Sequence, residues 1–223
     1  MSKPKISLNK LGEYLDATPS RRKKIIQDQQ NPKAFITIRY QDARENITGF
    51  LANNMVDEAG FLEAAQDLRD TIGGTEFSLQ DKRNSADAME NFLEVSDSIS
   101  LDGLVAEKVD KTTSSVIEFA GVDVSIRPDV ILKDKETGDV KGAVKLHFPK
   151  TTPLTEKSAP YVAAVLKVYL GAEDADSHIQ PENCYVIDIS TKKVFKAGKA
   201  HKNRIRDIEA ACEEIEARWK KED

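Results

Sequence analysis

Two short runs carry residues that could do chemistry together. The first is Arg127-Pro128-Asp129-Val130-Ile131-Leu132; after a polar turn comes Gly142-Ala143-Val144-Lys145-Leu146-His147. If the runs pair as strands, the acid that opens one meets the lysine on the next. Hydrolysis of a phosphodiester with Mg²⁺ needs such a meeting. Carboxylates hold the metal, the metal polarises the phosphate and activates water, and a lysine offsets charge in the transition state. Side chains alternate along a strand, so positions 143, 145 and 147 share one face while Val144, Leu146 and Phe148 take the other. A metal site wants a second carboxylate two residues before the lysine, and that residue is Ala143.

The acid expected to fill that gap is Glu118, with Asp123, Glu90, Glu94 and Glu107 as alternatives. His147 shares the face of Lys145 and could approach a metal as well. Plainer readings stay open beside these. Asp129 and Arg127 could form only an exposed ion pair, Lys145 could snorkel from a half-buried sheet, and His147 could be a satisfied polar residue.

The elements that must position these groups fall into two regions. Residues 1–110 read as helices. Ser7 can cap a helix bearing Leu8, Leu11 and Leu15, and Thr18-Pro19-Ser20 starts another. Asn31-Pro32 breaks the chain, then Tyr40, Ala43, Ile47, Phe50 and Leu51 recur at helical spacing. Asp57 to Ile72 repeats the pattern up to Gly73-Gly74, and a further helix is predicted from about Asp81 to Val95. No strand of the main sheet is expected in the first hundred residues.

From Ser115 the chain turns β-rich. Runs 115–119, 122–133 and 140–148 predict a three-stranded antiparallel meander, with Pro128 marking an edge or a bulge. A helix-length apolar segment, 159–170, follows. A hairpin over 184–189 and 194–197 comes next, and a charged helix over about 203–221 closes the chain. The class is α+β: an N-terminal helical region, 1–110, followed by a mixed sheet flanked by helices, 111–223.

On these residues the C-terminal half resembles the restriction-endonuclease-like, or PD-(D/E)XK, superfamily. The pieces are Pro128-Asp129 on one strand, Ala143-Val144-Lys145 in place of (D/E)-X-K on the next, the helix after it and the later hairpin. The resemblance implies cleavage of DNA or RNA with Mg²⁺ by an endo- or exonuclease. It makes Asp129 a metal ligand and Lys145 the catalytic lysine. Acids migrate between elements in that family, so Glu118 becomes a second metal ligand and catalytic residue. With Ala143 at the second acidic position, the same scaffold could instead be catalytically impaired, binding nucleic acid without cutting it or serving as a protein-interaction module.

Composition is compatible with each of these. The chain is 39% hydrophobic and 32% charged, an ordinary globular balance. Its charge is uneven: residues 1–40 hold nine Lys/Arg and three acids, residues 41–111 six and sixteen, and the rest eighteen and nineteen. The basic cluster Arg21, Arg22, Lys23 and Lys24, with Lys33, Arg39 and Arg127, is the expected contact for a phosphate backbone. Two cysteines without CxxC spacing imply reduced thiols, and the apolar runs are too short to span a bilayer. The expected location is cytoplasmic, with no membrane partner. There is no Walker A or GxGxxG pattern, and three scattered histidines do not compose a triad.

Overall fold

A computed structural model describes residues 3–32, 39–110, 115–173, 178–198 and 201–219. Among these, the chain runs β1 (Lys5–Ser7), α1 (Leu8–Asp16), α2 (Pro19–Gln30), α3 (Gln41–Ala52), α4 (Glu58–Asp70), α5 (Glu76–Ser96) and β2 (Leu104–Lys108). It continues β3 (Val116–Phe119), β4 (Val122–Ser125), β5 (Val130–Asp134), β6 (Val140–His147) and α6 (Ala159–Glu173). β7 (Cys184–Asp188), β8 (Lys193–Lys196) and α7 (His201–Trp219) complete it. The fold is α+β. Caps set several helix starts. Ser7 accepts from the Lys10 amide, Thr18 from Arg21 with Pro19 in the first turn, Asp57 from Gly60, and Thr75 from Ser78. Thr75 is why α5 begins five residues before the predicted Asp81.

Two sheets form. The larger has the order β2-β5-β6-β7-β8, and the smaller β1-β4-β3. β2, β5 and β6 are an antiparallel meander, while β7 runs parallel to β6, reached through α6. The meander therefore exists, but its first strand is Leu104–Lys108 and not 115–119. The predicted single strand 122–133 is two strands in two sheets. Arg127 takes a left-handed φ of 44° and Pro128 supplies no amide, so the ladder stops between Ser125 and Val130. β3 and β4 turn across Ala120-Gly121, both at positive φ, and form a hairpin that β1 joins in parallel.

Two strands, β1 and β2, thus lie within 1–110, which helical periodicity alone misses. Strands of three and five residues are too short to show an alternation. Nor do the halves have separate cores. Val130, Leu132, Val144, Leu146 and Ile187 on one sheet face pack with Ile47, Leu51, Met89 and Phe92 of α3 and α5. The other face gives Ala143, Cys184 and Val186 to a core with α1, α2, α6 and α7. Helix α6 lies buried in this second core, with Val162, Ala163, Val165 and Leu166 inside it, and it contacts the sheet, α1 and α7. That is why its sequence is apolar on nearly every side.

At Gly142, on β6, a Cβ would lie 2.6 Å from the carbonyl carbon of Asn183. The β6–β7 approach therefore requires glycine there. Gly142→Val should cost about 1–3 kcal/mol through forced displacement of backbone, read as a lowered midpoint in urea unfolding. An unchanged midpoint would show that the two segments separate without penalty.

Candidate functional site

The pairing of β5 with β6 sets Asp129 opposite Lys145 at the end of the ladder. The Asp129 amide donates to the Val144 carbonyl at 2.9 Å, and the Leu146 amide donates to Asp129 Oδ2 at 2.7 Å. Lys145 Nζ donates to the same Oδ2 at 3.2 Å and to the Arg127 carbonyl at 2.7 Å. The left-handed turn at Arg127 presents that carbonyl. The expectation that the acid and the lysine share a side of the sheet is met by this direct contact.

The other carboxylate oxygen is held by Arg44, from α3, whose guanidinium pairs with Asp129 Oδ1. Arg44 also lies over the Phe148 ring, 5.0 Å from its centroid, and Phe148 stacks on Tyr40. Asp129 is 8% exposed and Lys145 likewise 8%, so both charges are taken from water. Burial, then repulsion from Arg44 and Arg127, brings the Lys145 ammonium down to about 7, against the pull of Asp129. Burial also lowers Arg44 from its ordinary value.

These groups line a cleft of about 570 Å³. One wall is Gln41, Arg44, Glu45 and Thr48 of α3, spaced i, i+3, i+4, i+7, a single helix stripe. The opposite wall is the end of β2 with Lys108, Val109 and Asp110, then Arg127, Pro128, Asp129 and Lys145. Lys108 Nζ donates to the Glu45 carbonyl at 3.4 Å. Four cations and three acids meet here. Arg127 is exposed, and among the described residues its side chain makes no ion pair.

The other candidate acids are elsewhere. Glu118 lies in the smaller sheet, exposed, with its carboxylate on Lys3 Nζ at 2.6 Å; Asp123 pairs with the same lysine. Glu90 pairs with Arg69, Glu94 with Lys192 and Glu107 with Lys133, and none of them lines the cleft. The structure thus brings Asp129, Lys145 and Arg127 together and leaves Glu118 out. His147 is not among the residues that line the cleft. Its Nε2 is 2.7 Å from the Thr152 carbonyl and 3.9 Å from Asp188, and burial lowers its pKa.

Most of the basic run on α2 is already partnered. Arg21 bonds Glu13 at 2.7 Å, Arg22 pairs with Glu214 and covers the Tyr14 ring, and Lys24 pairs with Asp28. Lys23 makes no ion pair among the described residues. Arg39 lies over Phe77, and Lys33 is outside the described residues.

The donor set does not suit Mg²⁺. Both Asp129 oxygens are engaged by cations and an amide, position 143 is alanine, and among the described residues no three His, Cys, Asp or Glu gather closely enough to hold a metal. No family model matches this sequence, and no curated protein matches it significantly.

Two measurements check the electrostatics. Asp129→Ala would leave Lys145 buried with no counter-charge and the Leu146 amide without its acceptor. The expected loss is about 3–5 kcal/mol in urea unfolding, with Asp129→Asn losing less because the amide oxygen still accepts. The second concerns pH. Burial brings Lys145 down to about 7 in the folded chain from 10.5 ordinarily, so between those values the unfolded chain holds a proton that the folded chain has released. Stability from this group therefore rises with pH across that window, and the burial cost is fully present below 7. Lys145→Met should remove that rise in unfolding free energy measured from neutral to alkaline pH; an identical profile in the variant would place the titration elsewhere.

Proposed function

We propose that this chain is a non-cutting relative of the PD-(D/E)XK nucleases, a module that binds nucleic-acid phosphate in the cleft between α3 and the end of β5–β6. The observation that carries this reading is the occupancy of Asp129. The carboxylate that would serve a metal instead neutralises Arg44 and Lys145 and accepts from Leu146. Several further features support it. A mixed sheet sets an acid and a lysine on adjacent strands, and a helix leads from the second of these to the strand that pairs with it in parallel. The cleft lining adds Lys108 and Arg127, cations of the kind that position a phosphate backbone. A compact, permanently charged guanidinium in place of a divalent ion keeps attraction for phosphate while removing the means to activate water.

The test is fluorescence anisotropy with labelled single- and double-stranded DNA and RNA, at low and moderate salt. Binding should weaken as salt rises and be indifferent to EDTA. It should fall in Arg127→Glu and in Lys108→Glu, with a shallower salt slope by about one per lost contact. No product should appear with Mg²⁺ or Mn²⁺. EDTA-sensitive cleavage that disappears in Asp129→Ala would restore the nuclease reading. Binding unmoved by salt and by both charge reversals would leave a protein partner as the ligand of this scaffold.

A further inference from the structure

Lys145 is an unusual amine for a phosphate-binding cleft. An exposed lysine would serve as a cation equally well, and it would not incur the cost of burial. This one has 10% of its side chain open, at the cleft lining, with Nζ fixed between the Arg127 carbonyl and Asp129 Oδ2. Two guanidinium groups, Arg44 and Arg127, stand on the same cleft. An amine desolvated and crowded by cations is the arrangement that turns lysine into a nucleophile for carbonyl compounds. Its proton is then weakly held at neutral pH, in keeping with the direction of its titration.

We infer that Lys145 captures an aldehyde carried on a nucleic-acid strand, the ring-opened sugar of an abasic site, as a reversible imine. This rests on the nucleic-acid reading of the cleft. The neutral Nζ adds to the aldehyde carbon, forming the C–N bond as the C=O π electrons move to oxygen. Proton transfer from nitrogen to that oxygen gives the carbinolamine, which loses water to leave the C=N bond. Amine and aldehyde go in, imine and water come out, and no oxidant or reductant takes part. A proton taken up from solvent then gives the protonated imine, which the Asp129 carboxylate, beside the nitrogen, stabilises. Arg127 and Lys108 line the same cleft as cations suited to a strand's phosphates, which is why the aldehyde is assigned to a strand.

Borohydride settles the matter, because it reduces the imine to a stable secondary amine. The intact protein is mixed with an oligonucleotide holding one abasic site, reduced at neutral pH, and digested for mass mapping. The expected result is one covalent adduct per chain, on Lys145, lost in Lys145→Arg and Lys145→Met. Mapping on the unaltered protein keeps the test valid if a variant folds poorly. Adduct spread over surface lysines, or seated on Lys108, would overturn the inference. So would anisotropy showing binding of an intact oligonucleotide with no adduct on the abasic one, an outcome that leaves the cleft's phosphate-binding role standing. Absence of binding to either strand defeats both readings. Deoxyribose 5-phosphate trapped as efficiently as the strand would overturn the assignment to nucleic acid.

Discussion

A carboxylate taken out of water must find its solvation inside the protein, and Asp129 finds it from three directions. Lys145 and the Leu146 amide come from the neighbouring strand, and the Arg44 guanidinium comes from α3, 85 residues earlier in the chain. This one group therefore fastens the helical layer to the end of the sheet, and does so with a directional interaction. The apolar faces between them would tolerate small slips that hydrogen bonds of this kind would not. Arg44 in turn lies on Phe148, so the ion pair and the aromatic pair Phe148–Tyr40 brace each other.

The backbone has been shaped to the same end. Arg127 stands at a left-handed φ, which costs a residue with a side chain about 1–2 kcal/mol. The proline after it discourages the ordinary helical alternative. What is gained is a carbonyl aimed at a buried ammonium. The loop that divides 122–133 into two strands is thus the same loop that completes the lysine's coordination.

Periodicity in the sequence reads well where an element is long and one face is buried. Helices α1 to α5, α6 and α7 all follow from apolar spacing and from Ser7, Thr18 and Asp57, with ends displaced by a few residues. It reads poorly where strands are short, as at Lys5–Ser7, or where a β-branched run changes sheet partway, as at Arg127-Pro128. No local pattern records which sheet a strand will join. The Asp129–Lys145 meeting was legible because alternation and an antiparallel register need only nearby sequence. Arg44 was not, because its partner is set by the packing of α3 across the sheet. A trace was present even so: the polar stripe Gln41, Arg44, Glu45 and Thr48 beside the apolar stripe Ala43, Ile47 and Leu51 marks a helix face turned to something other than core or bulk water. Glu118 misled because the hairpin it sits on looks, in sequence, like the start of the meander.

The parallel pairing of β1 with β4 joins Lys5, Ile6 and Ser7 to Asp123, Val124 and Ser125. A chain leaving the ribosome exposes the first of these segments long before its partner has been synthesised. Ile6, which is buried in the finished protein, must wait through the whole of α1 to β3 without its partner strand. Helices α3 to α5 carry most of their contacts locally and can form during that interval. The smaller sheet cannot close until β4 has been made, so the vectorial order of synthesis and the spatial order of the fold run against each other at β1.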